Sequence, residues 1–170
     1  MDKYGFLMLD FTTPEFIRRL QGILPEDELY MPENPEHNWS YGIEGETHVT
    51  LAPCLDNDAD LNRLKELLLP IGEYNVMLGD VSMFDCDEYD VLKCGVVCDE
   101  LYETNKRIAS EFEIHSQYKE YKPHVTIAYM KKGCAKKYLE PVISEQVFLN
   151  PVQFSWGHFE GDDYVKVTWK

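Results

Sequence analysis

The sequence predicts an α+β fold of two similar lobes, and three observations predict it. The tetrapeptide His48-Val49-Thr50-Leu51 returns as His124-Val125-Thr126-Ile127. Each copy follows a strand-to-helix pattern and precedes a strand pair. The spacings also agree: His48 precedes Phe84 by 36 residues and Tyr89 by 41, and His124 precedes Phe159 by 35 and Tyr164 by 40. The segments FDCDEYDV and FEGDDYVKV read as one hairpin written twice. Two copies at this spacing imply two lobes related by approximate twofold symmetry, since a solenoid needs more repeats. The repeats run from about residue 1 to 90 and from 91 to 170, within a single domain of residues 1–170.

The chain opens with Tyr4 to Phe11, apolar enough for a central strand. Thr12-Thr13-Pro14-Glu15 then reads as a helix start with Pro14 near the first turn. Phe16, Ile17, Leu20, Ile23 and Leu24 recur at helical spacing, so this helix must pack on a sheet. Pro25 to Tyr41 holds three prolines and five acidic residues and reads as a long loop. Its aromatics argue for an ordered loop, in which Trp39 or Tyr41 offers a base-stacking surface or Trp39 pins the loop to the core.

Asp58 to Leu69 reads as a helix with Leu61, Leu64, Leu67 and Leu68 on one side, stopped by Pro70-Ile71-Gly72. Asn75 to Phe84 and Tyr89 to Cys98 read as two strands joined by the solvated turn Asp85-Cys86-Asp87-Glu88. Asp99 to Phe112 reads as a helix with an Asp cap and apolar Leu101, Ile108 and Phe112. The second His strand follows, then a helix from Cys134 to Ile143. Val147 to Phe159 and Tyr164 to Trp169 complete the chain as a strand pair, with Trp156 expected in the core.

Composition narrows the partners. The 170 residues are 44% hydrophobic and 13% aromatic, which is globular and not disordered. No apolar run approaches the roughly 20 residues of a membrane-spanning helix, and the first residues lack a signal-peptide pattern. A soluble, intracellular protein is expected. Five scattered cysteines without C-x-x-C spacing disfavour a disulfide framework and a zinc site, and Cys94 and Cys98 read as buried free thiols. The net charge of −15 would repel duplex DNA or structured RNA from most of the surface. A small anionic ligand needs only one locally favourable pocket.

The duplicated motif carries the chemistry. On a strand, alternate side chains share a face, so His48 and Thr50 project together while Val49 and Leu51 pack inward. His124 and Thr126 do the same. An unperturbed His titrates near pH 6.5 and can give or take a proton, so one imidazole can deprotonate an attacking oxygen while the other protonates the departing one. The two threonine hydroxyls can donate to non-bridging phosphate oxygens. This scheme requires no metal and no cofactor.

Paired His-hydrophobic-Thr-hydrophobic motifs in two duplicated lobes resemble the 2H phosphoesterase superfamily, the LigT-like enzymes. The resemblance implies a two-lobed fold of duplicated antiparallel-sheet-plus-helix lobes around a central cleft. It makes His48, Thr50, His124 and Thr126 the catalytic set. The run Tyr121-Lys122-Pro123-His124-Val125-Thr126-Ile127-Ala128-Tyr129 is similar to the second motif of phage anti-CBASS nucleases, which destroy cyclic oligonucleotide alarm signals. The first motif departs, with Thr47 before His48 and Pro53 where those enzymes tend to have an aromatic. That resemblance implies a cyclic di- or trinucleotide substrate, immune evasion and the host cytoplasm. Tyr121, Lys122 and Tyr129 join Trp39 and Tyr41 as candidate substrate contacts, and Lys131 and Lys132 could offset phosphate charge.

Other readings stand beside this one. An RNA 2′,3′-cyclic or 2′,5′-oligoadenylate phosphodiesterase would use the same four residues. A nucleotide-sequestering protein would have no need of two proton-transfer groups. A metallohydrolase lacks a carboxylate or third His at ligand spacing.

Overall fold

The computed structural model describes residues 3–35, 40–139 and 146–170. The elements are β1 (Tyr4–Phe11), α1 (Glu15–Gly22), β2 (His48–Asp56), α2 (Leu61–Leu67), β3 (Met77–Asp85), β4 (Tyr89–Val97), α3 (Asp99–Glu111), β5 (His124–Lys131), β6 (Pro151–Glu160) and β7 (Asp163–Trp169). The strands form a seven-stranded antiparallel sheet in the order β3-β4-β5-β2-β1-β6-β7. This is the expected α+β fold of two lobes.

The order reads the same from both ends of its first six strands: β3-β4-β5 mirrors β6-β1-β2, with β7 added at one edge. The two halves exchange a strand, because β3 pairs with β4 and β6 pairs with β1. The lobes touch through β2 and β5, whose register is one pair, Val49 opposite Val125. Beyond it the strands diverge, and other segments cover their freed edges. Glu44 N–H donates to the Ile127 carbonyl and Tyr129 N–H to the Gly42 carbonyl. Tyr30 N–H donates to Tyr129, and Leu29 bridges Met130. The proline-rich loop is thus ordered in part because it completes the ladder of β5.

One sheet face is the core. Val49, Leu51, Val125 and Ile127 are fully buried, as their alternation predicts, beneath Ile17 and Leu20 of α1 and Leu101 and Ile108 of α3. Trp156 is buried against Gly5, where an added Cβ would lie 2.1 Å from the indole. Cys94 and Cys98 are buried free thiols, and burial pushes Cys94 up to about 12.

Several boundaries differ from expectation. The second helix is shorter, with Asp60 as N-cap accepting from the backbone of Asn62 and Arg63, because Asp58 and Ala59 belong to the preceding turn. At α3, Cys98 is the N-cap, and Asp99 lies in the first turn, where its charge complements the helix dipole. Of the helix expected from Cys134 to Ile143, the described part holds one 3₁₀ turn, Lys136–Tyr138, and residues 140–143 lie outside the described residues. Buried Asp90 accepts from the backbone of Gly133 and Ala135, which fixes that segment as a turn. Among the described residues, no helix is long and apolar enough to cross a membrane.

Candidate active site

The single Val49–Val125 pair determines the site. Extended by one residue each way, that antiparallel pair sets His48 on the side of Thr126 and Thr50 on the side of His124, all four on the face opposite buried Val49 and Val125. The two motifs therefore meet as a diamond over the junction of the lobes. All four residues are half-buried, while the residues between them are sealed in the core.

The two imidazoles are oriented alike. Nδ1 of His48 lies 3.2 Å from the Glu46 carbonyl oxygen, and Nδ1 of His124 lies 2.9 Å from that of Lys122. A carbonyl only accepts, so each Nδ1 carries the proton and a neutral ring leaves Nε2 with its lone pair. Their electrostatics differ. Burial lowers the His124 pKa below its ordinary value, against the raising effect of the Lys122 hydrogen bond, and the positive charges of Lys93 and His48 lower it further.

A bulge in each motif strand decides what else shares the face. Lys93 pairs with Thr126 but Leu92 pairs with Ala128, so Ile127 is an extra residue in β5. Likewise Met8 pairs with Thr50 and Leu7 with Ala52, leaving Leu51 extra in β2. Each bulge puts two successive residues in the core, and the one in β5 returns Tyr129 to the face of His124 and Thr126. Burial pushes the Tyr129 phenol up to about 12, against the lowering effect of the neighbouring Ser40 and Thr126 side chains.

The bulged carbonyls are met by side chains from the other half. Asn105 of α3 donates to the Leu51 carbonyl at 2.8 Å, and Gln21 of α1 donates to the Ile127 carbonyl at 3.1 Å and the Glu44 carbonyl at 2.9 Å. These amides occupy equivalent places in the two repeats. Tyr121 donates to the Thr50 carbonyl at 2.8 Å, which ties the entry of β5 to β2.

The other expected contacts are distributed unevenly. Tyr121 commits its hydroxyl to the backbone and packs edge-on against Tyr102, away from a free role on substrate. The Lys122 side chain is exposed beside Glu120, and its carbonyl orients His124. Tyr41 is half-buried next to Gly42, which bonds β5, and Trp39 lies outside the described residues. Lys132 turns away to Asp85, Asp90 and the Cys86 carbonyl, and Lys131 is exposed.

Sequence reasoning missed two residues on this face. Asp10 pairs with His48 across β1, and its carboxylate accepts from Ser155 and Gln153, both at 3.0 Å. Lys93 pairs with Thr126 across β4.

A two-lobed sheet with a His-x-Thr pair from each lobe defines a phosphodiesterase of the two-histidine class. The chain belongs to the 2'-5' RNA ligase superfamily, whose profile matches residues 43–160. Its fold is similar to the crystal structure of E. coli LigT in apo form, at 16% identity and a TM-score of 0.54, covering 99% of this chain and 95% of that one. It is also similar to Kluyveromyces marxianus Usb1, at 12% identity and a TM-score of 0.52, covering 97% of each chain. No curated protein sequence matches it.

Proposed function

We propose that this protein cleaves a small cyclic or short oligonucleotide without a metal, with His124 as general base, His48 as general acid, and Thr50 and Thr126 donating to the phosphate. The observation that carries this reading is the approach of the two His-x-Thr pairs at the Val49–Val125 junction. His124 Nε2 removes the proton from a 2′-hydroxyl or water as its oxygen bonds to phosphorus. The bond from phosphorus to the leaving oxygen breaks, and His48 protonates that oxygen. His124 suits the base because burial and Lys93 favour its neutral form.

The net charge of −15 supports a compact substrate over duplex DNA. A cyclic nucleotide immune signal, destroyed by a virus in the host cytoplasm, is the setting we propose. The family's 2'-5' RNA description favours a second reading, cleavage of 2′,5′-oligoadenylate or a 2′,3′-cyclic end.

The test is turnover of cyclic dinucleotides, cyclic trinucleotides, 2′,5′-oligoadenylate and 2′,3′-cyclic AMP in excess EDTA. The expected result is metal-independent cleavage with one preferred class. Tight binding without product would favour a sequestering protein, and loss of activity in EDTA would overturn metal independence.

The pH profile of kcat/KM follows from the lowered His124 pKa. The base must be deprotonated, so the acid limb is expected below the ordinary value of about 6.5. Lys93→Met removes a positive charge that disfavours protonation, so the limb should move to higher pH. A limb that stays in place or moves lower in this variant would separate it from His124.

A further inference from the structure

The two halves of the candidate site are related by the pseudo-twofold, yet their walls carry opposite chemistry. Where β1 sets buried Met8 beside Thr50, β4 sets Lys93 beside Thr126. Where β1 sets Asp10 beside His48, β4 sets Gly95 beside His124, and a Cβ built on Gly95 would meet nothing within 4 Å. The second lobe therefore has a cation and open space where the first has a thioether and a carboxylate.

The cations of the two walls also differ in what they hold. Lys166 of β7 binds Glu46 and lies 3.8 Å from Asp10, so its charge is answered within the first lobe. Half-buried Lys93 donates to the Ser82 hydroxyl at 2.7 Å and stands 4.3 Å from the centre of the Phe84 ring. Among the described residues it has no carboxylate partner, in a chain of net charge −15. Burial, with the charge of Lys122, lowers its pKa, which marks a desolvated cation lacking an anion.

Phe84 then connects this cation to an aromatic surface. Its ring meets His124 edge-on at 4.9 Å and stacks with Tyr118 at 6.1 Å and 24°. Tyr118 is 61% exposed, a large aromatic face left to solvent beside a candidate catalytic histidine. Lys93 and Tyr118 both meet the Phe84 ring, so a ligand that joins a planar group to a phosphate can engage an aromatic surface and a cation that share one neighbour.

We propose that Lys93, Phe84 and Tyr118 form a mononucleotide subsite on the second lobe, in which Lys93 binds a phosphate oxygen and the aromatic pair stacks the nucleobase attached to it. The proposal rests on the reading of the cleft as a phosphodiesterase site and gives its substrate a direction. The nucleotide carrying most of the binding lies against β3 and β4, and its neighbour across the scissile phosphate lies against β1 and β6. Stacking tolerates any base, so this subsite supplies affinity more than base identity.

The test is calorimetric binding of adenosine 3′-monophosphate and of ribose 5-phosphate, which lacks the base, to the full chain. Wild type is expected to bind the nucleotide at least tenfold more tightly than the sugar phosphate. Tyr118→Ala should remove most of that preference and leave sugar phosphate binding in place. Lys93→Met should weaken both ligands about tenfold, and Lys93→Arg should restore them. Tyr118 is exposed, so its variant keeps the test independent of any folding defect at Lys93. No detectable nucleotide binding, equal binding of the two ligands, or unchanged binding in both Tyr118→Ala and Lys93→Met would overturn the subsite. Binding that behaves as expected in a chain that cleaves nothing would leave the subsite standing and remove the enzymatic reading. His-dependent cleavage with a KM unaffected by both variants would do the reverse.

Discussion

Alanine at either His48 or His124 is expected to lower kcat/KM on the preferred substrate by about 10²–10⁴-fold, the range for loss of one proton-transfer group. The double variant should lose little more, because groups acting on one transition state are not additive. A comparison of leaving groups separates the two roles. A nitrophenolate ester leaves without needing a proton, so His48→Ala should be largely rescued on a p-nitrophenyl phosphodiester. His124→Ala should stay impaired on both substrates, since the attacking oxygen still has to lose its proton. Rescue of His124→Ala instead would exchange the roles, and near wild-type activity in both single variants would end the two-histidine mechanism. Each imidazole is held through its Nδ1 to a backbone carbonyl two residues earlier, and His124 also meets Phe84, itself only half-buried, edge-on. The variants should fold normally, which circular dichroism would check.

The fold was legible where local pattern and tertiary environment agree. The motif strands alternate apolar and polar residues, and Val49, Leu51, Val125 and Ile127 are buried as that alternation demands. The hairpins β3-β4 and β6-β7 were legible from their turns. The exchange of β3 and β6 between halves left no local trace, because strand partners distant in sequence are set by packing. Proline content marked residues 25–41 as a loop, but not the backbone bonds by which Tyr30 and Gly42 extend β5.

The candidate site was legible in its motifs and obscure in its walls. A one-residue bulge inverts the parity of everything beyond it, so counting by twos along β5 assigns Tyr129 to the core side, whereas the bulge at Ile127 returns it to Thr126. Lys93 stands alone as a charge in an apolar run, Val91-Leu92-Lys93-Cys94. Its signal was there: a charged residue between two fully buried neighbours must have a reason to be tolerated. Asp10 gives the same signal at the end of β1, but its register partner, His48, is 38 residues away in sequence and leaves no local mark beside it.

The bulges also predict where the site can be loosened from a distance. Asn105→Leu removes the donor to the Leu51 carbonyl, and Gln21→Leu removes the donor to the Ile127 and Glu44 carbonyls. Asn105→Leu takes the side-chain donor from the part-buried Leu51 carbonyl, at a cost of up to about 1–3 kcal/mol of stability, and Gln21→Leu should cost less because the Ile127 carbonyl keeps the Glu44 N–H. Both residues lie on the helices behind the sheet, so neither can touch substrate; they are positioning residues. The bulges set the pitch of Thr50 and Thr126 toward the phosphate, and a misplacement near 1 Å at such a site costs about 10²-fold in rate. Each single variant is therefore expected to lower kcat about tenfold with KM nearly unchanged, and the pair about 10²-fold, at temperatures well below melting. A lower melting temperature with full kcat would reduce both amides to structural roles. If only one matters, the unequal loss shows which strand must be held more tightly. His124 on β5 is held by Gln21 and by the loop at Glu44, while β2 relies on Asn105 and Tyr121. Tyr121→Phe combined with Asn105→Leu is accordingly the variant in which the first motif should loosen most, and its kcat should fall below that of Asn105→Leu alone.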